Sequence, residues 1–579
     1  MLILGLSSLD HDVAAALLKD GEIVAAIEND KLIRSGMRGL PQEAIRFCLD
    51  KAGADWKDLE AVAVASGPVE GWVRRSLLRA RLSPLSFRAS AYYEVNELGR
   101  LARELNHRRV LRQLHGEKAM VANQSHHLCH AASAFYQSPF DRALIVTLDH
   151  EGDGTSGMVA RGEGAKIRPL QRFAFPHSWA WVYSQVTELL GFAPRKDEHK
   201  TQWLSLEGEP THKDFFLKLL RRPGSPLPHL NLGYFNRGLV GRLAFSDRFY
   251  SELDLPRPLK LSDEQRRALA ASVQQAVTQA VIDLVRHFAK REKVDQICLA
   301  GGLFLNSVLV SDVEQEFGRN KVYVPPAPGN AGSAVGAALT LWHGEMAKPR
   351  QGVKLTAPYW GPSFARTEIK DTLDNSKARY LLQITEDRKL EMAIQLLHSG
   401  KIVGWYQGAT EFGPRALGNR SVLASPWADY VKENLNDYIK HREWFRPFAL
   451  AVTEEDCDRW FEASPSCHYM NSLAVAKPGQ DGLPEAFLLP GRRVRLHVVS
   501  REANPAFWKL LKRFGESAPA PILVNTSFNL FGEPLVVKPR DAMRSYFCSG
   551  IDALVIDNFV LSKSTVNHLA PVSRMVSTA

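Results

Sequence analysis

Apolar and polar positions divide the chain into short buried runs separated by turn chemistry. The opening, Met1 to Asp30, reads as apolar run, polar loop, apolar run, the turn Lys19-Asp20-Gly21, and a third apolar run. It predicts three strands, the last two joined as a hairpin. A further run, Leu144 to Leu148, predicts a buried strand that ends on Asp149. Between 262 and 292 the period changes to that of a helix. Leu269, Val273, Val277, Val281, Leu284 and Phe288 share one face, and Ser262 with Gln265 forms a capping box. This helix carries structure rather than chemistry. Gln296–Ala300 predicts a buried strand running into Gly301-Gly302, and Pro325–Ala338 a loop that enters a helix of small residues. Lys401–Trp405 and Pro521–Asn525 predict two more buried strands. Pro349, Gly352, Pro358, Gly361 and Pro362 mark a linker. The division this predicts is a first domain over 1–350, a linker over 351–370 and a second domain over 371–579.

The length, 579 residues, exceeds what one core organises, so two domains are the floor. With 45% hydrophobic and 23% charged residues the chain has a globular composition. A net charge of +10 over this length suits anionic small molecules and points only weakly to nucleic acid. Residues 72–120 are rich in arginine, including Arg74, Arg75, Arg79, Arg81, Arg88, Arg108, Arg109 and Arg112. The aromatics there are not interleaved as stacking platforms, so the stretch reads as a solvated helical face. Six cysteines are scattered without a paired spacing, which fits reduced thiols and a cytoplasmic protein. The first apolar run is too short to span a bilayer and no later run reaches the required length, so no membrane is expected.

The candidate chemistry gathers at loops after these strands. His126 and His130 lie four apart, on one face of a predicted helix, and Asp149 ends the next strand. Two nitrogens and one carboxylate in this arrangement suit a single cation. Two histidines at that spacing are more often incidental, so the rest of the site decides. Cys129 would point away from their face and is read as structural. The loop at Asp10-His11-Asp12 is echoed by Asp149-His150-Glu151-Gly152-Asp153-Gly154, where glycines would let backbone amides approach phosphate. Two such loops suggest a duplicated fold with its site between the halves. Gly301-Gly302 would let a nucleotide lie against backbone, and the loop at Asn330 brings a side chain and backbone donors together. Later in the chain Arg415, Arg420, Arg442 and Arg446 sit beside glycines and prolines, and Arg495 is near them in kind. Arginine suits bidentate binding of phosphate or carboxylate, so these predict a polyanion pocket, against surface salt bridges as the alternative. A strand ending Asn525-Thr526-Ser527 would serve a base, ribose or phosphate.

Assembled, these segments resemble the O-carbamoyltransferase family of nodulation proteins and antibiotic-modifying enzymes, over about residues 2–563. The resemblance rests on His126-His127-Leu128 with His130-Ala131, Gly301–Asn306, Pro328–Leu339, Glu411–Ser421, Arg442–Ala449 and Leu523–Asn529 with Gly532-Glu533-Pro534. It implies an α/β architecture. An actin-like (ASKHA, duplicated RNase H-like) first domain is similar to the tRNA threonylcarbamoyl-transfer protein Kae1, and a YrdC-like α/β domain follows. It implies that the second domain forms carbamoyl-adenylate from carbamoyl phosphate and ATP with Mg²⁺, using Arg415, Arg420, Arg442, Arg446, Arg495, Asn525 and Ser527. A hydroxyl of a small-molecule acceptor would then attack in the first domain, with Asp12 or His11 as base. A metal, Fe²⁺ in the family's best-studied type, would be held by His126, His130, Asp149 and Asn330. Asp153, Gly154, Lys200, Gly301, Gly302 and Asn306 would face the adenylate.

Three positions depart from the family pattern. Asn330 stands where an aspartate is usual, which removes one negative charge and predicts weaker metal binding. The usual Lys-His-Asp is missing near Arg34 and Arg38, either of which would have to replace its lysine. Trp203-Leu204-Ser205 beside Lys200 stands where small and apolar residues are usual. The competing functions are carbamoylation of a nucleic-acid target and a non-catalytic nucleotide-binding relative. Oligomeric state stays open, a homodimer included, since a symmetric interface leaves no readable pattern.

Overall fold

The computed structural model describes residues 1–7, 12–36, 39–82, 97–115, 120–236, 245–256, 260–350, 357–382 and 385–563. His11 and Arg38 lie outside them, as does much of the basic stretch between 72 and 120. The chain forms two compact units. Unit 1 is Met1–Pro358 with Ser464–Ser466 and Asn471–Leu473; unit 2 is Tyr359–Ala463, Cys467–Met470 and the chain from Ala474 on.

Unit 1 is built on one plan used twice. Its first sheet has β1 (Leu2–Leu6), β2 (Ala14–Lys19), β3 (Glu22–Glu28), β4 (Ala61–Val64) and β5 (Met120–Asn123), in the order β3-β2-β1-β4-β5. Three strands meander antiparallel and two join parallel. The second sheet has β6 (Arg142–Gly152), β7 (Thr155–Glu163), β8 (Lys166–Ala174), β9 (Ile297–Ala300) and β10 (Val322–Tyr323), in the order β10-β9-β6-β7-β8. Read from its other edge this is the same order with the same strand senses. The duplicated RNase H-like, actin-like plan is therefore present in the hydrogen bonding itself.

Four helices shape unit 1 around its candidate site: α1 (Pro68–Leu82), α2 (His126–Gln137), α3 (Asp263–Glu292) and α4 (Gly332–Leu339). α3 begins at the expected capping box and buries the six predicted apolar residues. It is long and apolar enough in composition to cross a membrane, but most of it is buried inside unit 1. α2 follows the first sheet yet packs on β6 and β9 of the second, while α4 follows the second sheet and packs on β1 of the first. The two helices also pack on each other. Small residues permit this: a Cβ on Gly336 would fall 1.8 Å from the Cys129 carbonyl oxygen, and one on Gly5 2.1 Å from that of Ala334.

Unit 2 holds one ten-stranded sheet. Its strands are β11 (Leu381–Leu382), β12 (Val403–Tyr406), β13 (Arg420–Ala424), β14 (Ala449–Thr453), β15 (Phe461–Glu462), β16 (Leu473–Ala476), β17 (Arg493–Val499), β18 (Ile522–Ser527), β19 (Ala553–Ile556) and β20 (Phe559–Ser562). Their order is β11-β20-β19-β12-β13-β18-β14-β17-β16-β15. Both faces are covered by apolar cores, and the polar residues of interest lie on or near the ends of β13, β17 and β18.

Candidate functional site

The helix exchange in unit 1 brings α2 against the end of β6. His126 and His130, one turn apart on α2, face Asp149 where the β6–β7 register breaks between Leu148 and Gly152. His126 Nε2 and His130 Nε2 are 3.1 Å apart, and they lie 3.3 and 3.1 Å from Asp149 Oδ2. All three residues are buried. Protons alone do not satisfy this triangle. If both rings donate to Asp149, their N–H groups oppose each other. If one ring donates to the other, one contact to Asp149 lacks its proton. An ion about 2.0–2.2 Å from each atom would set its ligands roughly 3.0–3.4 Å apart, so the donor set fits a divalent metal. Asn330 lies beside the His130 ring at the entrance to α4. The four residues of the expected ligand set are thus gathered in one place.

Electrostatics agree with a cation here. Burial alone would raise the Asp149 carboxyl, but the two imidazoles outweigh it and hold the group well below the usual range. Burial opposes charge on His126, yet Asp149, Asp153 and Glu151 together raise it. His127 belongs to the core: it faces Thr147 Oγ1 at 3.0 Å and the Thr155 carbonyl oxygen at 3.3 Å, and burial pushes it down to about 3. Cys129 is buried and structural, as expected.

Several expected adenylate contacts are engaged in building the centre. The Asp153 carboxylate accepts from Gly67 N–H at 2.9 Å and His126 N–H at 2.8 Å, so it anchors α2 rather than facing a phosphate. A Cβ on Gly302 would sit 2.9 Å from Asp149 Oδ1, and one on Gly301 (φ 99°) 2.2 Å from the Leu148 carbonyl oxygen; these glycines make room for the β6 end. Gly152 does the same for the His126 ring, which a Cβ would meet at 2.1 Å. Asn306 donates to Gln274 Oε1 at 2.7 Å and caps the helix Ser307–Phe317 through Leu309 N–H. Lys200 pairs with Asp197 at 3.1 Å. Gly154 donates its N–H to Glu151 at 2.6 Å. Asp12, in the first loop, is exposed and has a left-handed backbone, φ 50°.

Unit 2 gathers charge of the other sign. Arg415, Arg442, Arg446 and Arg495 converge, and burial together with their mutual repulsion lowers Arg415 to about 10, Arg442 to about 9 and Arg495 well below its ordinary value. Guanidinium groups keep their protons in proteins, so these directions express the cost of burial first and mutual repulsion second. One carboxylate, Glu443, faces Arg446 at 3.5 Å. Lys440 has no counterpart among the residues expected from sequence. Its buried ammonium donates to the Ser527 carbonyl oxygen, to Ser527 Oγ at 3.2 Å and to Asn529 Oδ1 at 2.8 Å; burial, with Arg442 and Arg446 nearby, lowers it strongly. Asn525 donates to the Ala416 carbonyl oxygen at 3.2 Å, and its own buried Oδ1 has no partner among the described residues. Arg420 does not join this group. It stacks 3.6 Å over Tyr406 and spends its guanidinium on the carbonyls of Gln407 and Gly408, at 2.7 and 3.0 Å. The turn between Arg415 and Arg420 is organised by buried Glu411, whose Oε1 accepts from the N–H groups of Leu417, Asn419 and Arg420 at 2.8–3.0 Å.

Comparison with known proteins gives the family. Residues 2–339 match the family model described as carbamoyltransferase N-terminus, and residues 394–563 the one described as carbamoyltransferase C-terminus. The chain belongs to the carbamoyltransferase family. This carbamoyltransferase is 32% identical over 599 residues to the uncharacterized protein sll1178 of Synechocystis, covering 97% of each chain. It is 31% identical over 590 residues to nodulation protein NolNO of Sinorhizobium fredii, covering 98% of this chain and 83% of that one. Among solved structures, HypF of T. kodakarensis aligns at 15% identity and a TM-score of 0.32, over 58% of this chain and 47% of that one.

Proposed function

We propose that this carbamoyltransferase is an ATP-dependent O-carbamoyltransferase that carbamoylates a hydroxyl of a small molecule. In unit 2 water releases phosphate from carbamoyl phosphate and leaves carbamate; a carbamate oxygen then attacks the α-phosphorus of ATP, the bond from that phosphorus to pyrophosphate breaks, and carbamoyl-adenylate, a mixed anhydride, is formed. In unit 1 the acceptor oxygen attacks the carbamoyl carbon, the bond from that carbon to the AMP oxygen breaks, and AMP leaves. Asp12 takes the hydroxyl proton, a contribution on the order of 10²–10⁴-fold for a placed base.

The observation that carries this reading is the convergence of Arg415, Arg442, Arg446, Arg495 and Lys440, where burial and mutual repulsion press against the charge of these groups. Carbamoyl phosphate and the ATP phosphates, with their Mg²⁺, supply charge of the opposite sign. Fork-shaped guanidiniums orient phosphoryl oxygens, and Lys440 with Ser527 and Asn525 closes the end of β18. His126, His130, Asp149 and Asn330 would hold a divalent metal such as Fe²⁺, which supplies Lewis-acid stabilisation of developing negative charge. The residues around it keep that place dry and fix the ligands: Asp153 anchors α2, and Gly152 and Gly302 admit the rings and the carboxylate.

The test is pyrophosphate release from ATP and Mg²⁺ without acceptor. Release should require carbamoyl phosphate and should drop at least ~100-fold in Arg446→Ala. Release that ignores carbamoyl phosphate, or survives Arg446→Ala unchanged, would rule this scheme out. The nucleic-acid reading draws no support from Arg75, which is buried rather than displayed on a basic face.

A further inference from the structure

Arg75 departs most from the expectation of a solvated basic helix. It is 2% exposed and its guanidinium lies 3.2 Å from Glu151, itself nearly buried. Burying such a pair costs desolvation on both sides and is weak grounds for stability. Its place in the fold suggests a different use. Glu151 Oε1 also accepts from Gly154 N–H, closing a turn in which Asp153 (φ 53°) and Gly154 (φ 74°) are both left-handed. Left-handed backbone at a non-glycine residue persists only where its surroundings impose it. That turn aims the Asp153 carboxylate at Gly67 N–H and at His126 N–H.

Residues 67, 71 and 75 recur every four positions and form one face over this turn. Gly67 is held by Asp153, and a Cβ on Gly71 would fall 3.1 Å from both Asp153 Cα and an Arg75 terminal nitrogen. Arg75 thus grips one acid of the loop and Gly67 the other. The same loop supplies Asp149 upstream and the clearance for His126 at Gly152.

We propose that Arg75 is a positioning residue for the metal centre. Through Glu151 it fixes the 151–154 turn, and through Asp153 it sets the first turn of α2 and the His126 ring. The inference rests on reading His126, His130 and Asp149 as metal ligands. Outer-shell partners of this kind are typically worth about 10–100-fold in metal affinity.

The experiment titrates Co²⁺ alone into the full chain and its variants, following the visible d–d absorption. Wild type should take up one equivalent. Arg75→Met should bind roughly 10–100-fold more weakly with altered bands, and Arg75→Lys should fall between the two. Lys321→Met, which loses an exposed pair with Asp295, should match wild type. Affinities of Arg75→Met and Arg75→Lys both within twofold of wild type, with unchanged bands, would overturn the proposal. Should Arg75→Met lose its near-ultraviolet circular dichroism and so fail to fold, Arg75→Lys alone decides by the same criterion. A wild type that takes up no Co²⁺ would instead remove the metal reading beneath the proposal, and the proposal with it.

Discussion

In unit 1 a carboxylate and two imidazoles meet at 3.1–3.3 Å and leave a triangle that needs a positive ion. In unit 2 four guanidiniums and an ammonium gather, buried and repelling one another. The first is assembled by removing atoms, with glycines at 152 and 302 giving way to ligand side chains. The second is assembled by crowding long cations from β17 and from the segments between strands, one of which Glu411 shapes. One set offers donor atoms suited to a cation, the other charges suited to an anion.

The sharpest way to break this contrast is Asp149→Asn. It removes the only carboxylate of the triangle and should weaken Co²⁺ or Fe²⁺ binding by more than the roughly 100-fold ceiling of outer-shell changes. Titration calorimetry should show phosphate binding by unit 2 unchanged; a matching loss there would undo the separation of roles. Lys440→Met should weaken carbamoyl phosphate binding about 30-fold or more, the factor that ~2 kcal/mol represents for a buried charge contact. Unaltered affinity would place Lys440 outside the pocket.

Asn330→Asp should raise metal retention after dialysis about tenfold, ~1.4 kcal/mol, by restoring one negative charge. Equal occupancy would remove Asn330 from the ligand set. The smallest effect is on stability with pH. Burial first, then Arg442 and Arg446, lowers Lys440 in the folded state, so the unfolded chain holds the extra proton. Folded stability therefore rises with pH from the lowered value up to that of a free lysine, about 10.4. Compared with Lys440→Met, phosphate-free wild type should gain a few degrees in Tm between about pH 7 and 10. Saturating phosphate should flatten the difference, and a slope of opposite sign would refute the assignment.

The meeting of His126, His130 and Asp149 was legible because its parts use local rules: a four-residue spacing on a helix, and the end of an apolar strand. The duplicated plan was legible from two strand–aspartate–loop segments, since each repeats the same local turn chemistry. Arg420 was not, because in sequence it differs from Arg415 by nothing but five positions. What separates them is Glu411 and the Tyr406 ring, which only the folded turn brings near. Lys440 was passed over since its burial depends on Ser527 and Asn529, almost ninety residues later. Gly301 and Gly302 were read as giving a nucleotide room against the backbone; the fold also sets Leu148 and Asp149 where a Cβ on either glycine would fall. A missing Cβ does not say for whom the space is kept. Arg75 looks like one of many charges on a helix until the fold sets Glu151, far along the chain, beside it.

The exchange of α2 and α4 between the two halves has a consequence for the making of the protein. Asn330 and α4 leave the ribosome roughly 180 residues after Asp149. At typical synthesis rates that interval is about 10–40 s. During it the two histidines and the aspartate have been made, but the helix that packs on them has not. A nascent chain can therefore meet a metal before its centre is enclosed, and the order of synthesis gives cellular ions an early and open encounter with it.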